Sequence, residues 1–154
     1  MESLSGRDQG GSMTNTDDNK KIVTSFIDRL FSEGDLAAVD DYLSEEFVNH
    51  DPPFGASADR EGMRMAGASF RAAFPDWRSD VHLLIAEGDL VVEVFTASGT
   101  HRGEIMGVAA TGRSVSLRGI NVFRVREERI TERWGRLDDL GFMQQLGLVP
   151  TAGA

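Results

Sequence analysis

Two adjacent aspartates, Asp138 and Asp139, stand in the stretch WGRLDDLGFMQQLG near the end of the chain, where a strand-like pattern gives way to a helical one. A carboxylate at that junction can cap the helix, accepting hydrogen bonds from free backbone N–H groups at the positive end of the dipole. It can also act as a general base. Strand alternation separates the pair: Ile130, Glu132, Trp134, Arg136 and Asp138 share one face, and Thr131, Arg133, Gly135 and Leu137 share the other. With Trp134 beside it, Asp138 is expected at the floor of an apolar pocket, where lost hydration raises its pKa toward the range of a useful proton acceptor. Arg136 opposes that rise if it reaches the carboxylate, and Asp139 is left to cap the closing helix.

The other polar candidates are histidines and amides. His50, after Asn49, and His101, in SGTHRGEIMG, each end an extended stretch and enter a Pro- or Gly-rich loop, where a scaffold displays functional groups. A hydrogen-bonded structural histidine is the alternative for both. His82 alternates with Arg78 and Asp80 and reads as a solvated or interface residue. No histidine has metal-ligand spacing and cysteine is absent, so no metal site, disulfide or thiolate chemistry is expected. The glycine-rich loop GTHRGEIMGVAATG lacks the Lys-Ser/Thr ending of a phosphate cradle, and there is no GxSxG elbow.

The elements that must position these groups follow from periodicity. Ile22, Val23, Phe26, Ile27, Leu30 and Phe31 form one apolar helical stripe, starting near Thr16 to Asp18 and stopping at Gly34. A short second helix turns Leu36, Val39, Tyr42 and Leu43 inward, and a brief extended segment ends at Pro52 and Pro53. A third helix covers 57–74. Period two then takes over: Trp77, Ser79, Val81, Leu83 and Ile85 share one face of a strand, LVVEVFTASGTH is a second strand, RSVSLRGINVFRV a third, and ITERWGRL a fourth reached through REER. Helices first and a meander afterwards define an α+β domain, with N-terminal helices packed on a strongly curved antiparallel sheet. On the third strand Gly119, Asn121 and Phe123 are assigned to the cavity side, with Gly119 either making room for a ligand or marking a bulge.

Composition bounds the partners. With 154 residues, residues 1–17 read as a disordered leader, 18–150 as a single domain and 151–154 as a flexible tail. A net charge of −9 disfavours nucleic acid and anionic membranes. No apolar run has membrane-spanning length and no signal sequence is recognisable, so a cytoplasmic protein is expected.

The stretch from about Asn19 to Pro150 resembles the SnoaL-like polyketide cyclases of the nuclear transport factor 2-like superfamily, through NKKIVTSFIDRLFSEGDLAAVDDYLSEEFVNHDP, FPDWRSDVHLLIAEGDLVV, SGTHRGEIMGVAATGRSV and WGRLDDLGFMQQLG in order. The resemblance implies a cone-shaped domain with an internal pocket, a homo-oligomer (dimer or tetramer) and no cofactor. It also implies a hydrophobic or polycyclic substrate, and an aspartate general base that falls on Asp138. The implied reaction, of a kind used in antibiotic biosynthesis and of lyase or isomerase type, is intramolecular aldol closure of a polyketide ester. His101 would assist, with Asn49, His50, Asn121, Trp134, Phe123 and Arg136 as substrate contacts. The family pattern carries Gln and His where Gly119 and Asn121 stand here, which bears on the substrate. An epoxide hydrolase or dehydratase of the same fold, and a non-catalytic carrier of hydrophobic small molecules, are the alternatives.

Overall fold

A computed structural model describes residues 9–151. Helix α1 (Gln9–Ile27) begins ahead of the expected start and runs on through a π-helical turn, Asp28–Ser32, before Gly34 adopts a positive φ and ends it. The expected leader's residues 1–8 lie outside the described residues. Helix α2 (Ala38–Tyr42) leads directly into β1 (Leu43–Asn49). A 3-10 turn, Pro53–Gly55, precedes α3 (Arg60–Ala73), whose N-cap Asp59 accepts a hydrogen bond from Gly62 N at 3.0 Å. Helix α3 buries Met63, Ala66, Gly67, Phe70 and Ala73, an i, i+3, i+4, i+7 stripe, against the sheet.

Strands β2 (Arg78–Glu87), β3 (Leu90–Thr100), β4 (Ser114–Arg126) and β5 (Arg129–Leu137) form the expected antiparallel meander, and α4 (Asp139–Gln145) closes the chain. The expected extended segment after α2 joins the sheet as a fifth strand: β1 pairs parallel with β5, giving the order β1-β5-β4-β3-β2. The sheet is therefore mixed and open, a correction to the purely antiparallel expectation.

Two β-bulges set the faces. Val81 pairs with Phe95 but Leu83 pairs with Val94, so His82 is an extra residue in β2. Val125 pairs with Ile130 but Arg124 pairs with Glu132, so Thr131 is an extra residue in β5. Each inserted residue reverses the alternation beyond it. In β2, Ser79 and Val81 face the helices, but beyond the bulge Leu84 and Ala86 do so, and Leu83 and Ile85 are exposed on the outer face. In β5, Ile130 is buried, but beyond the bulge Arg133, Gly135 and Leu137 face inward with Phe123, Asn121 and Gly119, their partners across the ladder. The expected inward set of Glu132, Trp134, Arg136 and Asp138 is thus displaced to the other side.

Two apolar clusters hold the layers together. One joins α1 and α2 to the sheet through Val23, Phe26, Leu30, Val39, Leu43, Val91, Phe123 and Ile130; the other joins α3 and α4 to it through Phe70, Phe74, Trp77, Phe95, Leu117 and Phe142. Truncating any of these large side chains to Ala is worth about 2–5 kcal/mol.

Candidate active site

Where the two clusters meet, helices and sheet part around a narrow cavity with a free volume of about 60 Å³. Ile27, Met63 and Phe123 of the first cluster and Phe70, Trp77, Phe95 and Leu117 of the second line it. Its polar side is a row across three strands: Glu93 on β3, its ladder partner Asn121 on β4, and Arg133 on β5. All three are buried, Glu93 completely.

The row has a fixed polarity. Arg133 Nε and Nη2 donate to Asn121 Oδ1 at 3.0 and 2.7 Å, and Asn121 Nδ2 donates to Glu93 Oε1 at 2.8 Å. Because a guanidinium has only donors, the amide cannot face the other way. Arg133 Nη1 donates to Asn49 Oδ1 at 3.1 Å and to the Asp51 carbonyl at 2.8 Å. The bend of Arg133 toward Asn121 depends on Gly135: a Cβ there would lie 2.2 Å from Arg133 Nη2. Burial pushes the Glu93 carboxyl above the ordinary carboxylate range, against the hydrogen bond from Asn121 and the Arg133 charge. Burial likewise works against the Arg133 charge, and among the described residues no carboxylate oxygen lies within ion-pair distance of it.

Pro53, Arg133 and Leu137 also line an outer cleft with Asp51, Arg136 and Asp139, so the cavity's polar end lies next to the surface. Asp51 accepts Gly135 N–H at 2.9 Å and pairs with Arg136 at 2.8 Å, and these contacts hold its carboxyl below the usual range. Asp139, exposed at the rim of that cleft, is its acid whose pKa is raised, by partial loss of solvent first, with Asp138 adding to the rise and Arg133 opposing it.

The sequence-predicted residues divide accordingly. Asn121 and Phe123 line the cavity as expected, and Asn49 is buried behind Arg133, its Nδ2 3.5 Å from Met63 Sδ. Arg136 reaches the outer cleft and meets Asp51, not Asp138. Asp138 takes the capping position expected of its neighbour: its Oδ1 accepts Gly141 N–H at 3.0 Å, and its exposed carboxylate lies 3.9 Å from Arg118. Trp134, turned outward by the β5 bulge, stacks on His50, just after β1, at 4.7 Å on the far face, with Arg124 over the indole. His101 is fully buried against Phe74, apart from the cavity. Its Nδ1 lies 2.9 Å from Thr111 Oγ1 and 3.2 Å from Thr111 N, and its buried Nε2 has no partner among the described residues. The space above Gly119 is filled by Leu137 and Phe95, and the β4 register passes through it unbroken, so it neither opens room nor marks a bulge.

Three residues of the site carried weaker signals. Glu93 is the one charge inside the apolar run LVVEVF, a pattern that calls for a buried partner. Arg133 and Asp139 become visible only once the β5 bulge is known.

A curved open sheet with helices on its concave side and an apolar, acid-bearing cavity between them is the cone fold of the nuclear transport factor 2-like proteins. The SnoaL-like polyketide cyclase description matches residues 21–146, and the chain belongs to that family. Among solved structures it is similar to a putative polyketide cyclase from Acidithiobacillus ferrooxidans (32% identity, covering 84% of this chain and 94% of that one, TM-score 0.74). It is also similar to IdmH, a putative polyketide cyclase from Streptomyces antibioticus (31%, 84% and 98%, TM-score 0.73). A third similar structure is AclR, a putative hydroxylase from Streptomyces galilaeus (25%, 89% and 85%, TM-score 0.79). No curated protein matches the sequence.

Proposed function

We propose that the protein is a cofactor-independent cyclase that closes a ring by intramolecular aldol addition in a polyketide-type substrate. The observation that carries this reading is the apolar cavity whose polar end, Glu93–Asn121–Arg133, adjoins a cleft with an exposed carboxyl at its rim, Asp139, whose pKa is raised by partial loss of solvent. In this reading the Asp139 carboxylate takes the proton from a carbon flanked by carbonyls. The resulting enolate carbon bonds to a second carbonyl of the same molecule, and the new alkoxide recovers the proton from Asp139. No atom or electron is gained or lost, and a carbon acid so activated needs mainly orientation and a base of matched pKa. Asp138, engaged with Gly141 and near Arg118, is the rival for that role.

Paired variants separate the two acids. On an aldol-competent anthraquinone-type keto ester, Asp139→Asn should lower kcat by about 10²–10⁴-fold. Asp138→Asn, which keeps a good cap, should stay within a few-fold of the parent. The reverse pattern would return the base to Asp138.

The small free volume favours a second reading, a hydrolase or dehydratase of the same fold. About 60 Å³ admits a few waters, whereas a fused-ring ligand enters only if the walls part. Turnover in labelled water distinguishes the two: aldol closure leaves the product without solvent oxygen, and hydrolysis puts it there.

A homo-oligomer is part of the proposal, supported by the apolar ladder across the outer face of the sheet, in which Leu83 and Ile120 are exposed on either side of a half-buried Val94. A cytoplasmic location accords with the absence, among the described residues, of any helix long and apolar enough to cross a membrane.

A further inference from the structure

The polar end of the cavity contains two unsatisfied features that point the same way. Glu93 Oε1 accepts from Asn121, but its buried Oε2 has no hydrogen-bond partner among the described residues. A carboxyl held in apolar surroundings with one donor is most stable as the neutral acid, whose proton then sits on Oε2. Arg133 gives four of its five N–H groups to neutral acceptors, two to Asn121 and one each to Asn49 and the Asp51 carbonyl, which leaves one on Nη2. With Glu93 neutral, the wall holds an acid proton and a buried cation whose carboxylate neighbours, Asp51 and Asp139, act on it from beyond ion-pair distance. A buried cation without an ion-pair partner is stabilised when an anion comes into contact with it.

We propose that this wall is an anion subsite, and that the ligand presents a negatively charged oxygen, from a carboxylate or an ionised enol, to Glu93 Oε2–H within the field of Arg133. The subsite narrows the substrate class to acidic carbonyl compounds and gives an enolate formed at the cleft a cation and a proton donor to meet. The inference rests on the cavity being the ligand site, not on which residue is the base. The charged groups acting on Glu93 are Arg133 from β5, which favours its ionisation, and Asp28 from the turn after α1, which opposes it.

One-ring probes suit the narrow cavity. Calorimetric titration of the full chain with dimedone (an ionised cyclic enol), cyclohexanecarboxylate and the neutral 3,3-dimethylcyclohexanone tests the proposal from about pH 6 to about pH 9. Near the acid end at least one anion should bind about 10-fold or more tighter than the ketone. Dimedone alone would identify the enol as the source, the carboxylate alone the acid, and both a general oxyanion subsite. The preference should fade as pH rises and Glu93 ionises. In Glu93→Gln, whose amide nitrogen replaces the acid proton without titrating, it should persist across the range. Equal binding of anions and ketone, no binding of any probe, or the same fading in Glu93→Gln would each overturn the subsite. Binding is read without turnover, so Asp139→Asn should retain the preference even where the aldol reading fails.

Discussion

At the scale of single residues, the two adjacent aspartates are separated by what each carboxylate meets. Asp138 receives a backbone N–H and solvent, so its contribution is that of a cap, and Asp138→Ala should cost about 1 kcal/mol. In a domain of this length that lowers Tm by about 2–4 °C, measurable by calorimetry. Glu93 contributes with the opposite sign at neutral pH. Its folded-state pKa lies above that of the unfolded chain, so the stability it permits is full below the ordinary glutamate range and is lost as pH rises through the raised value. Thermal unfolding of the wild type and Glu93→Gln should therefore agree in acid and diverge toward pH 8, with the variant the more stable. Parallel curves would mean that Glu93 stays as ionisable in the fold as outside it. The pairing of acid, amide and guanidinium was partly legible beforehand: Asn121 was assigned to the cavity from alternation on β4, and its two partners were not.

At the scale of elements, the decisive features are the bulges at His82 and Thr131. A one-residue insertion is invisible to periodicity when both faces contain apolar side chains, and β5 offers Ile130 and Trp134 on one phase against Leu137 on the other. Reading through without the bulge puts the indole inside and the guanidinium out. The hairpin that precedes this bulge has its own strain: Glu127 and Glu128, between paired Arg126 and Arg129, both have positive φ, the geometry of a type I′ turn. Each non-glycine residue there carries a penalty of about 1–2 kcal/mol. The double replacement Glu127→Asn with Glu128→Gly should raise stability by about 1 kcal/mol, seen as a higher denaturation midpoint with unchanged slope. At Gly119 the opposite holds, because an added Cβ would lie 2.4 Å from Leu137 Cδ2 and 3.0 Å from the Phe95 ring. Gly119→Ala should cost about 1–3 kcal/mol and move Leu137 toward the cleft it shares with Arg133.

At the scale of the whole molecule, the cavity exists because the helical layer makes two separate apolar clusters against one curved sheet. Its size is then set by the side chains at their junction. Met63→Ala should destabilise the fold by about 2–5 kcal/mol while improving binding of fused-ring ligands relative to one-ring probes, read as a change in the ratio of their Kd values. The outer face is argued from the same sheet: Ile120→Lys in the Leu83–Val94–Ile120 ladder should shift the mass measured by light scattering toward the monomer.

The order of helices, the meander, the last helix and the inward face of β4 were all determined by sequence alone, since each depends on local periodicity or a turn within a few residues; which of the two aspartates caps that helix was not. The parallel pairing of β1 with β5, the two bulges and the row of Glu93, Asn121 and Arg133 were decided only in three dimensions. The parallel pairing and the row depend on which strands lie side by side, and register between strands tens of residues apart leaves no periodic trace; the bulges sit within tight hairpins, where an inserted residue is hidden because both faces carry apolar side chains.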